Sequence, residues 1–115
     1  MTQHLDSDGR LQHLLTLEGL PRETLCRLLD RAGQIRDAAL GRTPRRQVLD
    51  GTTVCTLFFE PSTRTRSSFH IAAHRLGADV LNVDASTSST RKGETARDTL
   101  RNLEAMGVRG FVVRH

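Results

Sequence analysis

Thr53-Val54-Cys55-Thr56-Leu57-Phe58-Phe59-Glu60-Pro61-Ser62-Thr63-Arg64-Thr65-Arg66 decides how the chain is read. Its first seven residues have the β-branched and aromatic content, and the length, of a buried strand. Beyond it, Phe69, Ala72, Ala73 and Leu76 recur at i, i+3, i+4 and i+7, the apolar face of a helix. The hydroxyls and guanidiniums therefore fall at a strand-to-helix turn, where the first backbone N–H groups of the helix lack partners and the helix dipole is positive. Such an end attracts anions. Ser62, Thr63 and Thr65 add short donors, and Arg64 adds a planar fork matched to two phosphate oxygens. Two readings stand at this point: a bound phosphate-like oxyanion, or plain N-capping by Ser62 with Arg64 and Arg66 solvated. Cations at a helix N-terminus oppose the dipole, so two arginines there call for an explanation.

Outward from this stretch, the chain alternates strand and helix signals. Asp50-Gly51 is a turn signal before the first strand, and Leu76-Gly77-Ala78 ends the helix. Asp79–Val83 predicts a second strand, Thr95–Met106 a helix with Ala96, Leu100, Leu103 and Met106 on one face, and Gly110–Val113 a third strand. Between the second strand and that helix runs a polar loop from Asp84 to Glu94, with five hydroxyl residues leading into Arg91-Lys92-Gly93. Most such loops are solvated connections; this one is also a donor-rich arm suited to phosphate or carboxylate oxygens. Upstream, residues 1 to about 10 are polar and expected to fray. Pro21 opens a helix with Leu25, Leu28, Leu29, Ala32, Ile35 and Ala39 as its apolar stripe, closed by Gly41 and Thr43-Pro44.

Two βαβ units in series predict an α/β fold, a parallel sheet with flanking helices and right-handed crossovers. Ligands of open α/β sheets gather at the carboxyl ends of the strands. Arg64 and Thr65 follow the first strand, the Ser86–Lys92 loop the second, and Arg114 the third, a convergence that favours a small polyanion.

Composition narrows the function classes. A chain of 115 residues with 37% hydrophobic content supports one modest domain. Lys92 is the only lysine among 17 basic residues, so arginine sets the pI of about 10.4 and the net charge of +4. These arginines are dispersed, and four phenylalanines with no Tyr or Trp leave little for base stacking, which argues against nucleic acid. Cys26 and Cys55, without a CxxC or a His at ligand spacing, are expected to be buried thiols in a reducing cytoplasm. No signal peptide opens the chain and no apolar run approaches the ~18–20 residues of a membrane span, so a soluble cytoplasmic protein is expected.

Phe-Phe-Glu-Pro-Ser-Thr-Arg-Thr-Arg, Arg75-Leu76-Gly77, Lys92-Gly93-Glu94-Thr95 with Asp98-Thr99, and Val113-Arg114-His115 together resemble the amino-terminal half of catalytic chains of the aspartate/ornithine carbamoyltransferase family, from about Leu14 to the end. The Lys-Gly-Glu loop and the Arg-His pair point to the aspartate branch; an ornithine enzyme would need a different loop and a different residue after Arg114. The resemblance implies that Ser62, Thr63, Arg64 and Thr65 bind the phosphate of carbamoyl phosphate, and that Thr65 and Arg114 polarise its carbonyl oxygen. Arg64, Thr65 and Arg114 thereby become the catalytic candidates, for carbamoyl transfer to L-aspartate in pyrimidine biosynthesis. It further implies a homotrimer in which the loop bearing Ser88 and Lys92 enters a neighbouring subunit's site to contact phosphate and aspartate, with regulatory or pathway-enzyme subunits as further partners. Glu60 resembles the glutamate that holds the closed state. No metal or organic cofactor is implied. The loop departs from the family in carrying Ser89-Thr90-Arg91 before Lys92 in place of Leu-Gly and a first lysine; Arg91 keeps the charge. The chain also stops before the family's His-Pro-x-Gln segment and second domain. Residues 1–115 are therefore expected to be a truncated carbamoyl-phosphate-binding domain without the aspartate-binding domain, inactive alone; the alternative is a non-catalytic anion-binding or assembly module.

Overall fold

A computed structural model describes residues 4–85 and 95–115, and the chain divides into two compact units, Met1–Thr43 and Pro44–His115. In the first unit, α1 (Arg22–Ala39) begins behind Pro21, which occupies the N-cap position. Leu25 and Leu28 on its apolar stripe are half-buried, whereas Leu29 is 64% exposed. The segment before it is more ordered than its polar composition suggests. Asp6 Oδ1 accepts from the backbone N–H groups of Asp8 and Arg10 at 2.9 and 2.8 Å, and Leu5 bridges Leu11. The buried His4 ring sits between the carbonyl oxygens of His13 and Glu18, at 3.3 and 2.8 Å. Expected fraying is thus corrected for His4 onward, because local side-chain hydrogen bonds tie this polar turn. Cys26 is a second correction: it is exposed on α1, since it lies off the apolar stripe.

The second unit is the α/β part. In chain order it contains β1 (Thr53–Phe58), α2 (Thr63–Arg75), β2 (Asp79–Asp84), α3 (Ala96–Ala105) and β3 (Val108–Arg114). The sheet is parallel throughout, in the order β2-β1-β3. β1 is central, and Cys55, Thr56, Leu57 and Phe58 are fully buried, as its near-continuous apolar run requires of a strand covered on both faces. From β1 the chain crosses to one side and then back over β1 to the other. Right-handed crossovers in opposite directions place α2 and α3 on opposite faces. Side-chain alternation agrees. Cys55 and Leu57 form the core with Ala85, Leu103 and Val108, joined by Phe59, Val83, Leu100 and Phe111. Thr56 and Phe58 face α2: Thr56 donates to Asn82 Oδ1 at 2.6 Å, Asn82 donates to His70 Nδ1 at 2.9 Å, and the Arg66 guanidinium lies 5.6 Å from the Phe58 ring centroid.

The helical stripes are narrower than periodicity predicts. Ala73 of α2 is buried while Phe69 remains 47% exposed; Leu103 of α3 is buried while Met106, already past the helix end, is 77% exposed. Thr95 caps α3 through a reciprocal box with Asp98. Among the described residues no helix is long and apolar enough to cross a membrane.

Candidate anion-binding site at the carboxyl edge of the sheet

Pairing with β1 sets Phe58 beside Arg114, and the backbone N–H of Phe59 donates to the Arg114 carbonyl at 2.8 Å. β3 therefore ends next to the turn that leads into α2. β1 and β3 are parallel neighbours, and the carboxyl ends of such strands are where ligands of open α/β sheets gather.

Ser62 occupies the N-cap of α2 without capping it: no side-chain hydrogen bond reaches the first-turn N–H groups. Its hydroxyl instead donates to Thr65 Oγ1 at 3.0 Å. Plain capping thus gives way, leaving an N-terminus open to an anion, with no acidic residue in its first turn. From β3, Arg114 Nη1 donates to Ser62 Oγ at 3.0 Å and to Thr65 Oγ1 at 3.1 Å, while its Nε donates to Glu60 Oε1 at 2.7 Å. Arg114 Nη2 has no partner among the described residues. The Glu60–Arg114 pair is half-exposed, at 51% and 45%, so its net energy is within about 1 kcal/mol and its effect is to aim the guanidinium.

The two arginines of the turn go separate ways. Arg64 is exposed and makes no hydrogen bond or ion pair among the described residues, standing beside the open N-terminus. Arg66 turns to the α2 face and covers Phe58. Of the residues singled out from sequence, Ser62, Thr63, Arg64 and Thr65 occupy one helical turn and Arg114 joins them across the sheet; Ser88 and Lys92 lie outside the described residues. What sequence reasoning missed is the direct grip of Glu60 on Arg114, visible only once β1 and β3 are known to be neighbours. Among the described residues no group of three or more His, Cys, Asp and Glu could hold a metal ion. Chemically, the cluster presents hydroxyls, uncapped N–H groups and the Arg114 guanidinium to one small volume, with Arg64 in the same helical turn, the kind of donor set that a phosphate dianion or a developing oxyanion requires.

Residues 12–115 match the family described as aspartate/ornithine carbamoyltransferase, carbamoyl-P binding domain. The chain is 85% identical to the aspartate carbamoyltransferase catalytic subunit of Xanthomonas campestris pv. campestris, over 99% of its own length and 36% of that protein's. Its identity to the same subunit of Stenotrophomonas maltophilia is 83%, over 98% and 36% of the two lengths. Among solved structures it superposes on aspartate transcarbamoylase from Trypanosoma cruzi in complex with carbamoyl phosphate with a TM-score of 0.77 and 34% identity, covering 90% of this chain and 33% of that one. The chain thus spans about a third of the length of the relatives it matches.

Proposed function

Because this chain belongs to the aspartate/ornithine carbamoyltransferase family, in the carbamoyl-phosphate-binding domain, we propose that residues 1–115 bind carbamoyl phosphate for carbamoyl transfer to L-aspartate. The observation that carries the proposal is the meeting of Arg114 with Ser62 and Thr65 over the uncapped N-terminus of α2. Phosphate oxygens take the N–H groups of that turn, the Ser62 and Thr63 hydroxyls and the Arg64 fork. Thr65 Oγ1 and Arg114 turn to the carbamoyl carbonyl oxygen. The amino group of aspartate attacks the carbonyl carbon, the oxygen gains charge in a tetrahedral intermediate, and the C–O bond to phosphate breaks. Donors that bind the oxygen more strongly as it charges lower the barrier, and holding both substrates in place supplies much of the rest. Arg114 Nη2 is the donor ready for this, and Nη1 exchanges a hydroxyl for substrate oxygen.

The wider reading follows the family resemblance. The enzyme works in cytoplasmic pyrimidine biosynthesis as a homotrimer, with Ser88 and Lys92 offered to a neighbouring subunit, and the aspartate-binding domain belongs to the part of the relatives that lies outside residues 1–115. Calorimetric titration with carbamoyl phosphate tests the central step. Saturable binding that weakens by roughly a hundredfold in Arg64→Ala, about 2.7 kcal/mol, is expected for a lost bidentate charged pair. Unchanged affinity in a variant with a well-dispersed NMR spectrum would remove Arg64 from the site.

A further inference from the structure

A second cleft, of about 230 Å³, lies between α2 and β2, lined by Arg66, Ser67, His70, Ile71 and Asn82. Arg66 and His70 are one helical turn apart, and His74 continues the row with its ring centroid 6.5 Å from that of His70. Two histidines at i, i+4 would ordinarily suggest a metal. The hydrogen bonds decide against it. Buried Thr56 donates to Asn82 Oδ1, which turns the Asn82 amide toward His70, and His70 Nδ1 accepts from it. A ring that accepts at Nδ1 carries its proton at Nε2, whereas a metal-binding histidine donates through its second nitrogen and leaves the first bare. Arg66, Ser67 and His70 bring polar groups to a cleft whose surface is otherwise mostly apolar. Arg66 Nε is buried with no hydrogen-bond partner among the described residues, a state that costs free energy until an acceptor reaches it.

The geometry points to a carboxylate site. One guanidinium, held with a face against Phe58, offers a single two-pronged edge, enough for one carboxylate and too little for a polyanion. Ile71 adds an apolar wall, and the volume falls below that of drug-sized pockets, so the ligand is a carboxylate on a short hydrocarbon body. Such a group belongs either to a small free acid or to an Asp or Glu side chain of a second copy of this chain.

Titration of the chain with butyrate, followed by NMR at the Arg Nε–H and His ring signals, tests the site. Saturating shifts at Arg66 and His70 are expected with a Kd on the order of millimolar, while Arg64 and Arg114 stay still. Arg66→Gln should weaken binding at least about tenfold and Ile71→Ser roughly threefold; if the first variant loses spectral dispersion, the second and His70→Gln carry the test. Dilution of the protein without butyrate separates the sources: concentration-dependent shifts at Arg66 identify a second copy, and constant shifts identify a free acid. Shifts that stay linear in butyrate, or that fall equally on Arg64, would overturn the proposal.

Discussion

Glu60 gives the sharpest test at the scale of single residues. Its bond to Arg114 Nε is short but half-exposed, so Glu60→Gln should leave the melting temperature nearly unchanged, the loss staying below about 1 kcal/mol. A guanidinium no longer aimed at Ser62 and Thr65 should nonetheless bind carbamoyl phosphate several-fold more weakly, which calorimetry reads directly. Equal effects on melting and binding would make Glu60 merely structural. The cysteines make a second contrast. Burial pushes the Cys55 thiol up, and Cys26 is exposed. An alkylating reagent should therefore label Cys26 quickly in the native protein and Cys55 only after unfolding. The same burial makes stability pH-dependent with a definite sign. The folded state keeps the Cys55 proton longer than the unfolded chain does, so its contribution is intact below the ordinary thiol pKa of about 8.5 and declines as pH rises beyond it.

Elements were legible in the sequence where pattern and punctuation agreed. β1, α2, β2 and α3 fall within a few residues of their expected bounds, because each apolar run is closed by Gly, Pro, a cap or, for β2, a polar loop. The site turn was readable for the same reason, as hydroxyls and arginines sit between a strand signal and a helix signal. Three things were not readable. The order β2-β1-β3 is a tertiary fact, and it alone brings Glu60 to Arg114. The fates of Arg64 and Arg66 depend on which way each leaves the helix, and no local pattern encodes that Phe58 lies under only one of them. Periodicity says which helix face is apolar without saying how much of it is covered, hence Phe69 and Met106. The α2–β2 connection carries its own test. Gly77 has φ +91°, and a Cβ there would meet Gln47 Oε1 at 2.5 Å and the backbone N of Asp50 at 3.3 Å. Gly77→Ala should cost roughly 1–3 kcal/mol in denaturant unfolding, since the left-handed backbone strains any side chain there and the Asp50 backbone is close, while Gln47 can swing aside. Thr95→Ala, which removes only the cap of α3, should cost about 1 kcal/mol.

For the whole molecule, the proposed function assigns the described residues one substrate of a two-substrate reaction. The donor cluster at the sheet edge is built from β1, α2 and β3 alone, so the proposed phosphate site falls within the Pro44–His115 unit. Binding to an exposed arginine-rich edge is largely electrostatic, and the Debye length shrinks from about 10 Å at 0.1 M salt to about 3 Å at 1 M. Affinity for carbamoyl phosphate should accordingly fall steeply over that range while stability changes little. Turnover should behave differently. Aspartate must be held against the carbamoyl carbon, and the proposed groups for that task are Lys92 of a neighbouring copy and residues in the two-thirds of the relatives' length that this chain does not span. The 115-residue chain, saturated with labelled carbamoyl phosphate and aspartate, is therefore expected to form no carbamoyl aspartate above a protein-free blank, at a salt concentration where calorimetry shows the phosphate site filled. Adding it to a complete catalytic chain whose own equivalent of Lys92 is replaced by alanine should restore product only if the two assemble, since the loop bearing Lys92 is what one copy offers its neighbour. Product from the 115-residue chain alone would place the aspartate site within these residues and refute the division of labour between them and the rest of the enzyme.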